Sequence, residues 1–177
     1  MGKVYLKVPT IEDKENWLDY YLETVRDNPS AKPGGFSADT NYEEWVIKIN
    51  NAMNGINLHD GYVPYSFYIL VNDEKIIGSI SIRHSIDDEM LRLYGGHIGY
   101  NIRPSERKKG YATKMLSLGL EKCKELGLKE VLITCKKDNI ASAKTIENNG
   151  GILKEEVYIK EEDSNFKKYW INIDKTC

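Results

Sequence analysis

The chain has no excess of positive charge: 25 lysines and arginines face 27 aspartates and glutamates, for a net charge of −2. An electrostatic grip on nucleic acid wants a clearly basic domain, so no nucleic-acid partner is expected. Long apolar runs are missing too. No stretch approaches the roughly 18 residues a membrane span needs. Cysteine is scarce. Cys123, Cys135 and Cys177 are odd in number and form no CxxC pair, so neither a disulfide framework nor a metal site is suggested. Reduced thiols fit a cytoplasmic location. The N-terminus lacks the apolar core of a signal peptide. Gly2 follows Met1, but Lys7 sits where a myristoylation signal wants Ser or Thr nearby, so lipidation is not expected. There is no internal repeat and no low-complexity tract.

What is present is ordinary for a globular chain, with 41% hydrophobic and 29% charged residues. A length of 177 residues fits one domain spanning 1–177, able to bury roughly 70% of its unfolded surface. Val4, Leu6 and Val8 alternate as a short strand. Thr10 and Asp13 resemble a capping box for a helix running to about Asp27. Asp39 or Thr40 is placed to cap a second helix over residues 42–53. Residues 66–71 and 75–83 are β-branched runs around Asn72 and Asp73, a hairpin signal. Residues 91–103 read as the next strand, interrupted by Gly95 and Gly96, a pair that marks a bulge or a close backbone approach. Residues 110–126 carry the clearest helical stripe, with Met115, Leu116, Leu120 and Cys123 on one face and Gly127 past the end. A strand over 130–135, a helix over 139–149 and a second hairpin over 152–173 follow. The order β-α-α-β-β-β-α-β-α-β-β gives an α/β (α+β) fold. A mixed, mostly antiparallel central sheet of about seven strands carries helices on both faces. Residues 91–135 read as one parallel crossover unit.

The chemistry concentrates in residues 97–151. A strand ends at Arg103, Pro104 stops further pairing, and a basic loop leads into the long helix. Free amides there point at one place, the helix dipole adds partial positive charge, and Arg107, Lys108 and Lys109 add full charges. This is a candidate anion site for a phosphate or pyrophosphate, with Gly110 letting backbone approach closely. A basic surface loop capping a helix is the plainer alternative, since no Walker lysine motif is present.

Two blocks decide between these. Arg107-x-x-Gly110-x-Ala112, preceded by Ile102-Arg103-Pro104, resembles the signature of the GNAT superfamily of N-acetyltransferases. The block running from Asn139 through Ser142 to Gly150 resembles that family's Asn-x-x-Ser motif, one helix and one strand further on. The pattern is closest to the ribosomal-protein and small-molecule branch. The resemblance implies that acetyl-CoA, as cosubstrate, lies between the fourth and fifth strands. Its pantetheine arm would pair with backbone near Asn101, Ile102 and Arg103. Its pyrophosphate would rest on amides from Arg107 through Lys108, Lys109, Gly110, Tyr111 and Ala112 to Thr113. Asn139 and Ser142 would lie against the cofactor.

The reaction so implied is direct attack of a primary amine on the thioester, with the Ile102 amide stabilising the oxyanion. The acceptor is a small molecule or a protein N-terminus, and dimerisation is common in the family. A non-catalytic acyl-CoA-binding module of the same fold is the alternative. Ile146 occupies the position where many relatives carry an acid tyrosine, while Tyr111 and Tyr100 lie nearby in sequence. His97 is the candidate general base, against a plain structural histidine. His84 is a weaker rival, and His59 reads as a solvated loop residue. Cys135 ends a strand beside the expected gap, though buried cysteine is usually a small hydrophobe. Tyr62, Tyr65, Tyr68 and Phe36 are candidates for shaping an amine pocket.

Overall fold

A computed structural model describes residues 3–175; Gly2 and Cys177 lie outside the described residues. Eleven elements follow the expected order: β1 (Val4–Lys7), α1 (Lys14–Asp27), α2 (Tyr42–Met53), β2 (Tyr65–Asn72), β3 (Lys75–Arg83), β4 (Ile98–Ile102), α3 (Tyr111–Glu125), β5 (Glu130–Lys136), α4 (Ile140–Asn148), β6 (Ile152–Ile159) and β7 (Ser164–Asn172). The seven strands divide into two antiparallel sheets, ordered β1-β2-β3-β4 and β5-β7-β6. The expected parallel ladder between β4 and β5 does not form. Among the described residues one backbone hydrogen bond joins them, from His97 N–H to Leu132 C=O at 2.8 Å. Beyond it the strands splay into a gap.

Strand alternation sorts the two cores. In β2, Phe67, Ile69 and Val71 face α1 and α2, while Leu70 faces α3. On the first side Trp17 stacks on Trp45 at 4.4 Å between ring centroids, and Phe36 meets both edge-on. Phe36 is 2% exposed, so it belongs to this core and not to a pocket entrance. On the other side Met115, Leu116, Leu120 and Cys123 of α3 pack against Ile80 and Ile82 of the first sheet and Val131, Ile133 and Tyr169 of the second. One apolar core thus ties both sheets together.

Two expectations change at the element ends. The cap of α2 is Asn41, whose side chain accepts from Glu44 N–H at 3.0 Å, in place of Asp39 or Thr40. Residues Leu91–Gly95 form a helical turn instead of a strand, because Asp88 Oδ1 accepts from the Met90 and Leu91 amides at 2.9 and 3.2 Å. Gly96 then brings the chain onto β5. Its φ is +62°, and a Cβ there would sit 2.7 Å from the Leu132 carbonyl oxygen, so only glycine permits the approach.

Candidate active site

β4 is an edge strand, and half of its backbone groups are turned away from β3. Arg83 N–H donates to His97 C=O at 2.7 Å, and Arg103 N–H donates to Ile77 C=O at 3.0 Å. With Gly78 opposite Ile102 and Ile82 opposite Ile98, the odd-numbered residues therefore bond to β3. Ile98, Tyr100 and Ile102 aim their N–H and C=O groups into the gap. The Ile102 carbonyl accepts from Arg107 Nε at 3.3 Å, which leaves its N–H open.

This parity corrects two expected contacts. The backbone of Asn101 belongs to the β3 ladder, so it cannot pair with a pantetheine arm. Its side chain donates to Tyr20 Oη at 3.2 Å. Arg103 is 2% exposed and turned toward α1. Its Nε donates to Glu23 at 2.6 Å, its Nη1 to Ile76 C=O at 3.1 Å, and its Nη2 to Asp19. Those partners hold the loop after β4 against α1 and leave no face of the guanidinium for a cofactor.

The loop into α3 offers donors with nothing to bond. Lys108 and Gly110 have φ of +62° and +82°. Such alternation of left-handed residues turns successive amides to one side. Among the described residues, no protein group accepts from the amides of residues 108–113, and the helix ladder begins only with Lys114 N–H to Gly110 C=O at 3.1 Å. The side chains contribute less than their charges suggest. Arg107 pairs with Asp27 at 2.8 Å, and Lys109 with Glu106 at 2.9 Å. A Cβ on Gly110 would meet nothing within 4 Å. Tyr111 ties α3 to β2, its hydroxyl accepting from Asn72 Nδ2 at 3.1 Å.

Across the gap, Asn139 Oδ1 accepts from Ser142 N–H at 3.0 Å and so caps α4. Ser142 Oγ lies 2.8 Å from the Tyr100 hydroxyl. Burial pushes Tyr100 up to about 12, so it keeps its proton throughout the neutral range. Ile146 is fully buried.

His97 is 5% exposed, and its Nδ1 accepts from Leu132 N–H at 2.9 Å. Burial, then the nearby Arg83 charge, hold it down to about 4. One ring nitrogen is occupied and the other must carry the proton, so no lone pair is left for an ammonium. Its geometry is that of a clip between β4 and β5 and not of a base. His84 pairs with Ser66 Oγ at 2.8 Å. Cys123 and Cys135 are buried, and burial raises both thiols, which disfavours a thiolate.

On the opposite face of β3 and β4 lies a cleft of about 840 Å³, floored by Ser79, Ser81, Gly99 and Asn101. The loops after α1 and α2 wall it, with Tyr62 and Tyr65 at the rim. Tyr68 packs instead against the core shared by the two sheets. Tyr100 reaches both the cleft and the gap. No motif pointed to it, because its significance rests on Ser142, 42 positions away. Arg83, also in the cleft, carried no sequence signal either.

The model of the acetyltransferase (GNAT) domain family matches residues 3–152. Comparison with curated proteins by sequence gives no match. Among solved structures, Mycobacterium smegmatis RimJ in complex with CoA-disulfide has a TM-score of 0.72 at 14% identity, over 98% of this chain and 84% of that one. An acetyltransferase from Salmonella typhimurium that modifies the N-terminal serine of ribosomal protein L7/L12 has a TM-score of 0.69 at 15% identity, over 96% and 94%. The microcin C7 self-immunity acetyltransferase MccE, in complex with acetyl-CoA and AMP, has a TM-score of 0.67 at 19% identity, over 96% and 92%. At these identities the likeness is one of fold.

Proposed function

The chain belongs to the GNAT acetyltransferase family, and from that premise we propose that it moves acetyl from acetyl-CoA to a primary amine by direct attack, as one domain over residues 1–177. The observation that carries this reading is the row of unbonded amides at residues 108–113 beside the open edge of β4. The amides and the start of α3 would hold the pyrophosphate. Tyr100 would pair with the pantetheine arm through its backbone, and the Ile102 N–H would take the developing oxyanion. Two of the solved neighbours hold CoA-disulfide or acetyl-CoA, which supports the same cosubstrate here. The buried, unpaired thiols Cys123 and Cys135 support a cytoplasmic setting.

In the step itself, the amine nitrogen in the cleft attacks the thioester carbon and a C–N bond forms. The C–S bond then breaks, and the thiolate takes a proton from the Tyr100–Ser142 pair. The amine's own proton leaves to water in the cleft, and water returns one to the Tyr100–Ser142 pair. Mixing the protein, acetyl-CoA and a broad amine panel should release CoA thiol in step with acetylated amine. CoA binding with no turnover of any amine would reduce the chain to an acyl-CoA-binding module. Tyr100→Phe should lower kcat about a hundredfold, the low end of the usual range for loss of an acid. Acetyl-CoA affinity should stay within about threefold, because the arm pairs with Tyr100 through its backbone.

A further inference from the structure

The cleft carries a cation with no counter-ion among the described residues. Arg83 ends β3 at the cleft wall. Its Nη1 donates to the Gly95 and Gly96 carbonyls at 3.2 and 3.0 Å, which fixes the plane of the guanidinium. Among the described residues, no carboxylate pairs with it. Asp88, the one carboxylate among the described residues that line the cleft, has Oδ1 engaged by two backbone amides. Burial disfavours the charged form of Arg83, and the Tyr62 hydroxyl opposes that shift without supplying a carboxylate.

Arginine presents five N–H donors in a planar fork. With Nη1 engaged by two carbonyls, the Nε–Nη2 edge remains, and that edge matches a carboxylate bidentately. Lys32 and Lys48 line the same cleft, also without an ion-pair partner among the described residues. Three cations against one carboxylate make the cleft positive in a chain whose net charge is −2.

We propose that the acceptor is an amine that also carries a carboxylate, held by the Nε–Nη2 edge of Arg83, so that Arg83 sets substrate choice. This rests on the cleft being the acceptor side of the transfer site proposed above. The surrounding cations also disfavour the ammonium form of a bound amine. They thereby help supply the neutral nucleophile, a task for which His97 has no free nitrogen.

The test pairs each free amino acid with its amide, which keeps the amine and lacks the carboxylate. Acids should exceed amides in kcat/KM by about twentyfold, the worth of a charged hydrogen-bonded pair. Arg83→Gln should bring the two within about threefold of each other. A second readout needs no turnover. N-acetylated amino acids, as product ligands, should raise the Tm of the CoA-saturated wild type, while their amides and the Arg83→Gln variant show no such rise. Amides matching acids in both assays, a preference surviving Arg83→Gln, or a stronger preference for phosphate-bearing amines would overturn the proposal. Titration with CoA reports separately. Failure of the wild type to bind CoA counts against the cofactor site, whereas intact CoA binding with no acid preference counts against Arg83.

Discussion

Replacing Gly110 with glutamate is expected to weaken CoA binding by at least about a hundredfold, or about 2.7 kcal/mol, while the chain stays folded. Gly110 starts α3 with φ of +82°, and a Cβ there would meet no atom within 4 Å. The cost to the fold is therefore backbone strain alone, about 1–2 kcal/mol for a non-glycine residue in the left-handed region. The cost to binding is larger. A carboxylate at this position lies among the unbonded amides of residues 108–113 and can accept from them itself. It then fills the site and repels a pyrophosphate. Gly110→Ala separates the two effects, since it carries the same strain without the charge and should stay within about tenfold of the wild type. Calorimetric titration with CoA measures both variants, with circular dichroism to confirm folding. An unchanged affinity in Gly110→Glu would remove the pyrophosphate from this loop.

The features legible in the sequence were those set by neighbours in the chain. The stripe of α3 and the glycines at 110 and 127 are local, and they placed the helix and the turn before it. The β2–β3 hairpin was marked by its turn, which falls one residue later than Asn72 and Asp73: Asn72 pairs with Lys75 in the ladder, and Asp73 and Glu74 both adopt positive φ. What was hidden depends on distant partners. Arg103 sits inside the family motif and reads as a cofactor contact, yet its carboxylates Asp19 and Glu23 stand about 80 positions earlier. The extended reading of residues 91–95 failed because one side chain, Asp88, nucleates a helical turn. Strand parity near Asn101 and Ile102 could not be counted from the sequence, because the strand's start depends on where Gly96 meets Leu132. The same register decides that Tyr100 and Ile102, and not Asn101, face the gap. The candidate site was thus visible as a loop, and its side-chain chemistry was not.

The second large effect concerns His97, which is expected to make the fold acid-labile. Its ordinary value is 6.5, and burial with the Arg83 charge lowers it to about 4 in the folded chain. A depressed group stabilises the fold above its unfolded value and loses that contribution as pH falls toward the folded one. The window is therefore pH 6.5 down to 4, and a shift of 2.5 units at about 1.36 kcal/mol each gives roughly 3 kcal/mol. Arg83 opposes protonation of the ring and Asp87 favours it. The structural reason is the bond from Leu132 N–H into Nδ1. A protonated ring presents a donor there, and the bond is lost beside the backbone bond from His97 N–H to Leu132 C=O that joins β4 to β5. CoA affinity should fall in the same window, because that join sets where the gap begins. Denaturant unfolding of the wild type and His97→Gln at pH 7 and 4.5 measures the effect. Glutamine retains an oxygen for Leu132 N–H but does not titrate, so the variant should lose the pH dependence while His84 still contributes equally to both proteins. Parallel slopes in the two proteins would show that His97 does not carry the acid transition. A kcat loss in His97→Gln, with stability and its pH dependence both unchanged, would return the residue to the role of base.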